Sequence, residues 1–131
     1  MPDTPPDDVP ASAFKSGGGL RRIALAMGYS LAGLRAAIRH EAAFRQELTL
    51  AVPMLLLVPW LAPGRWQALC MAGSVVLVLV VELLNSAIES LADAITVDHH
   101  TLLGRAKDLG SAAVMLSLVF ALAVWVAVLW R

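Results

Sequence analysis

Glu82, Asn85, Glu89 and Asp93 are separated by three, four and four residues and sit among Val80, Val81, Leu83, Leu84 and Ile88. At helical spacing such positions fall in one polar stripe, while the rest of the helix can face lipid or neighbouring helices. A carboxylate at the centre of a membrane helix costs roughly 2.5–3.5 kcal/mol on insertion scales, which makes these residues functional candidates by default. Two other segments supply matching groups. Glu41 precedes the first apolar run, and Lys107, Asp108 and Ser111 open the last. Carboxylate oxygens take Mg²⁺ together with substrate phosphates. A lysine nearby neutralises phosphate charge, and a carboxylate at hydrocarbon depth can accept a proton from a lipid hydroxyl. The competing reading is a stripe that glues helices of an oligomer together without chemistry, at ~0.6–2 kcal/mol per polar group. Periodicity does not separate the two.

These residues must be positioned by membrane helices. Of the 131 residues, 59% are hydrophobic and 15% charged, against roughly 45–50% and ~25% in soluble domains. A chain this small cannot hide so much apolar side chain from water, so a soluble monomer is excluded. Residues 1–19 are rich in Pro, Gly and Asp. They lack the basic and apolar regions of a signal peptide and read as a disordered tail ending in a glycine hinge. Over 20–46, Leu20, Ile23, Met27, Leu31, Leu34 and Ile38 mark one helical face flanked by Arg21, Arg35 and Arg39. That pattern suits an amphipathic helix in the membrane interface, with arginines reaching headgroup phosphates.

Three spans follow. Residues 48–63 form the first, interrupted by Pro53 and Pro59 and closed by the Pro63-Gly64 turn. Residues 66–92 form the second and 109–130 the third, joined by a polar connection over 93–108. Trp60, Trp66 and Trp130 occupy span ends as interfacial aromatics do. Lys15, Arg21, Arg22, Arg35, Arg39 and Arg45 precede the first span, and Arg105 and Lys107 lie between the second and third. The other side has only Arg65 and Arg131, so the N-terminus and the 93–108 connection are expected in the cytoplasm and the C-terminus outside. Lys+Arg and Asp+Glu number ten each, which offers no basic footprint for nucleic acid. Cys70, the single cysteine, allows no intrachain disulfide and reads as a small apolar residue. His99 and His100 are adjacent, so their side chains diverge and do not readily share a metal. No P-loop sequence occurs.

At these residues the chain resembles the prokaryotic diacylglycerol kinase family, small integral-membrane lipid kinases. The resemblance is carried by GYSLAGLRAAIRHEAAFRQE (residues 28–47), VELLNSAIESLAD (81–93) and GRAKDLGSAAV (104–114), and extends from about Arg22 to Trp130. It implies a homotrimeric helical bundle with active sites shared between subunits. The implied activity is ATP-dependent phosphorylation of diacylglycerol at the bacterial inner membrane, in phospholipid recycling. Glu41 and Glu89 would hold Mg²⁺. Glu82 would be the general base on the lipid hydroxyl, with Asn85 supporting it. Lys107, Asp108, Arg22 and Tyr29 would engage ATP, with Asp98, His99 and His100 at its adenosine end. Arg22, Gln46, Glu47 and Ser111 would lie near the lipid. The stretch 96–103, with its His-His pair, departs from the family pattern, and the Pro/Asp-rich tail has no counterpart in it. Two alternatives stand beside this one: phosphorylation of undecaprenol by the same fold, and a non-enzymatic membrane subunit or small ion conductor.

Overall fold

The computed structural model describes residues 18–95 and 100–130. The expected tail falls almost wholly outside the described residues, as do Asp98 and His99. Four helices make up the described chain: α1 (Gly19–His40), α2 (Ala42–Leu61), α3 (Arg65–Ile95) and α4 (Thr101–Leu129). Among the described residues there is no strand. Three of these helices, α2, α3 and α4, are long and apolar enough to cross a membrane.

The chain divides into a unit of residues 1–35 and a unit of residues 36–131. Within the first, the described residues form most of α1. Its apolar residues Leu20, Ile23, Met27, Leu31 and Leu34 are all exposed. They recur at helical spacing with arginines at their flanks, the pattern of a helix that lies in a membrane interface.

The second unit begins with the last turn of α1. The sequence reads 20–46 as one helix, but the chain leaves helical geometry at Glu41, whose φ of −100° and ψ of 108° are extended. Arg45 stabilises this break. Its Nη1 donates to the carbonyls of Ile38 (3.3 Å) and Arg39 (3.2 Å), two of the acceptors left without partners at a helix C-terminus. Arg39 and His40 in the same turn complement its partial negative charge.

α2 contains Pro53 and Pro59. It ends at Leu61, where the backbone N–H of Ala62 still reaches the Val58 carbonyl at 2.9 Å. Residues 62–64 reverse the chain into α3, which packs against both α2 and α4. The core that joins the three contains Ala51, Val58, Met71, Val75 and Trp125. Met71 is fully enclosed, and its carbonyl accepts bonds from Trp125 Nε1 (3.3 Å) and Ser74 Oγ (2.8 Å). The first of these ties α4 to α3. Trp60, Trp66 and Trp130 are exposed at helix ends, as interfacial aromatics would be.

The connection between α3 and α4 is shorter than the 93–108 read from sequence. α3 continues through Ile95 and α4 starts at Thr101. Helix persists there because polar side chains at these ends need not be buried, and because Asp93 and Lys107 pair across the two helices. With 31 residues, α3 is about 46 Å long at 1.5 Å per residue. That exceeds the ~30 Å hydrocarbon core, so part of it must lie in or beyond the headgroups.

Candidate active site

The polar stripe of α3 faces inward over Glu82, Asn85 and Glu89, while Asp93 at its end is exposed. Glu82, Asn85 and Ser86 are buried, and Glu89 is half-buried one turn beyond Asn85. Few features would place a carboxylate 96% out of solvent on a membrane-length helix, and here other acids lie close by. Glu82 lies within electrostatic reach of Glu41, Glu47 and Glu89. Glu41 comes from the α1–α2 break and Glu47 from the second turn of α2. Four carboxylates from two helices and a break thus converge on one end of the bundle. Such a cluster is repulsive by itself and calls for a cation or a proton.

Asn85 organises the centre of this cluster. Its Nδ2 donates to Glu89 Oε1 at 3.2 Å. A carboxylate only accepts, so this bond fixes which way the amide points. The other amide atom, Oδ1, is buried with no hydrogen-bond partner, and Glu47 Oε2 is in the same condition. Gly110 of α4 lies against Asn85 Oδ1 so closely that an added Cβ would collide with it. The first turns of α4 therefore reach the site. One turn earlier, Lys107 Nζ pairs with Asp93 Oδ1 at 3.1 Å. Asp108 and Ser111 are exposed on the same part of α4.

Of the other expected residues, Gln46 is exposed on the first turns of α2, and His100 is exposed just before α4. Arg22 and Tyr29 are exposed on α1, within the 1–35 unit. Beside Glu47, an apolar cleft of about 220 Å³ runs between α2, α3 and α4, lined by Leu50, Met54, Val78, Leu122 and Trp125 among others. Sequence spacing found the α3 stripe. It did not find Gly110, whose importance depends on a neighbour from another helix. Nor did it find the pairing of Lys107 with Asp93, which are far apart in the chain.

The donor chemistry fits a hard divalent cation. Glu41 and Glu89 offer only oxygen, and both lie near Glu82. Among the described residues, no three His, Cys, Asp or Glu side chains are grouped to hold a metal unaided. Mg²⁺ does not need that, since it binds through one or two carboxylates with phosphate oxygens and water completing its shell.

Comparison with known proteins bears on what such a site does. A family model for prokaryotic diacylglycerol kinase matches residues 28–129. A diacylglycerol kinase of Escherichia coli is 46% identical over 112 residues, covering 86% of this chain and 92% of that protein. One from Pseudomonas aeruginosa is 44% identical over 118 residues, covering 90% and 96%. One from Haemophilus influenzae is 41% identical over 112 residues, covering 86% and 95%.

Proposed function

The chain belongs to the prokaryotic diacylglycerol kinase family, and on that premise we propose that it moves the γ-phosphoryl group of ATP to the free hydroxyl of membrane diacylglycerol. The products are phosphatidic acid and ADP. The observation that carries this reading is the buried Glu82 at the centre of four carboxylates, beside the bond from Asn85 to Glu89.

Glu82 takes the proton of the lipid hydroxyl as that oxygen forms its bond to the γ-phosphorus. The bond from phosphorus to the ADP oxygen breaks in line with it. Asn85 holds the Glu89 carboxylate in place through its amide. Glu41 and Glu89 would hold Mg²⁺, which supplies charge neutralisation on the ATP phosphates. Lys107, released from Asp93, and Asp108 would order the nucleotide phosphates. Arg22, Tyr29, Asp98, His99 and His100 would complete the nucleotide site. Gln46, Glu47 and Ser111 would border the lipid headgroup, and the apolar cleft beside Glu47 suits an acyl chain. Diacylglycerol arrives through the bilayer, so no deep aqueous pocket is required.

The reading extends to a homotrimer with shared active sites in the bacterial inner membrane. The N-terminus and site face the cytoplasm and the C-terminus lies outside. Arg39, Arg45, Arg105 and Lys107 at the carboxylate end of the bundle, against Arg65 at the other, support that orientation.

The test is purified protein in mixed micelles with γ-labelled ATP, offered diacylglycerol and undecaprenol side by side. Label is expected in phosphatidic acid. Label in undecaprenyl phosphate alone would give the chain the sister activity, and label in neither would leave a non-enzymatic membrane protein.

A further inference from the structure

Asn85 is held from one side only by a hydrogen bond. Its Nδ2 is committed to Glu89 Oε1 at 3.2 Å, while its Oδ1 is buried without a donor. What meets that orphan oxygen is the backbone of Gly110. A Cβ built on Gly110 would strike Oδ1, and would stand 3.4 Å from Asn85 Cγ and 3.7 Å from Ile88 Cδ1. Gly110 itself is buried. No glycine φ among the described residues is positive, so backbone freedom does not explain a glycine here. A glycine inside a membrane-length helix lowers helix propensity, and close approach to another group is the remaining reason for it.

We propose that Gly110 is a positioning residue for the phosphoryl-transfer site, acting through Asn85 on Glu89. The absent side chain lets α4 approach α3 until its backbone forms the wall against which the Asn85 amide rests. With that wall in place the amide has one orientation that keeps Nδ2 on Glu89. A methyl group at Gly110 would push Oδ1 away. Asn85 is short and buried, so the displaced amide would turn and its bond to Glu89 would break. This inference rests on the roles given above to Asn85 and Glu89.

The experiment is a double-mutant cycle on the full-length protein in mixed micelles, with Gly110→Ala, Asn85→Ala and the pair together. Gly104→Ala serves as the control, because an added Cβ there meets nothing. Groups that orient metal-binding carboxylates typically cost about 10- to 100-fold in activity or metal affinity when lost. Gly110→Ala is expected to lose activity in that range and to need more Mg²⁺ for half-maximal rate. Its thermal unfolding and oligomer size should match those of Gly104→Ala. The double variant should be no less active than Asn85→Ala alone, since the two losses share one cause. Full activity of Gly110→Ala overturns the proposal, as do losses that simply add, or a Gly110→Ala protein that fails to assemble. Full activity of Asn85→Ala would instead strike at the proposed role of Asn85 itself.

Discussion

Glu82, the proposed base, stands out in energy as well as in geometry. It is buried among like charges, an arrangement that folding alone would not favour. Glu82→Gln keeps the shape and removes the charge. It should abolish turnover, by at least the ~10²–10⁴-fold that a general base contributes. The same change relieves repulsion with Glu41, Glu47 and Glu89, so the variant should unfold at the same temperature as the parent or higher. An inactive protein with a lowered unfolding temperature would point to a structural role instead, and near-normal turnover would remove Glu82 as the base. Glu89→Gln separates a second role. The amide oxygen of Gln can still accept from Asn85, while the charge is lost. Half-maximal rate should then require at least about tenfold more free Mg²⁺. An unchanged Mg²⁺ titration would take Glu89 out of the metal site.

At the scale of elements, what the sequence showed depended on how local the cause was. The three spans are readable because long apolar runs with so few charges have few other uses, and the α3 stripe because spacing alone puts Glu82, Asn85 and Glu89 on one face. The break at Glu41 was not readable. It has neither Gly nor Pro, and it exists because Arg45 folds back onto the carbonyls of Ile38 and Arg39. From sequence, the end of α3 and the start of α4 read as part of the polar connection over 93–108, because their charges break the apolar runs. They stay helical with help from a pairing between Asp93 and Lys107 that no local window contains. Gly110 was invisible for the same reason, since its neighbour belongs to another helix. The break can be tested directly. Arg45→Gln removes the Nη1 that donates both bonds to the end of α1, so this turn should open more often and trypsin should cut after Arg39 faster than in the parent. Equal cleavage rates would show that the break needs no such cap. Glu41 sits at that break, so a loosened turn should also weaken ATP-dependent turnover, mainly through a higher Mg²⁺ requirement.

At the scale of the molecule, the charge sum of zero conceals an arrangement with two distinct ends. α2 and α3 are joined by the tight turn at 62–64, and the pairing of Lys107 with Asp93 brings the start of α4 to the far end of α3. Hence Glu41, Glu89 and Lys107 share one end of the bundle, whereas Arg65 and the end of α4 at Leu129 share the other. Exposed Trp60, Trp66 and Trp130 mark that second end. Arginines and lysines concentrate at the first, and the excess of basic residues is retained on the cytoplasmic side during insertion. On the proposed reading, the basic end and the carboxylate cluster would both face the compartment that holds ATP. Membrane vesicles of defined sidedness test this. Inside-out vesicles carrying the protein should label phosphatidic acid from γ-labelled ATP added outside, and sealed right-side-out vesicles should not until they are permeabilised. Equal labelling in both sealed preparations would mean mixed insertion, and labelling confined to right-side-out vesicles would mean the basic end faces outward. Adding lysines to the 62–64 turn should reduce labelling in the inside-out preparation, because it erodes the charge difference that sets the orientation.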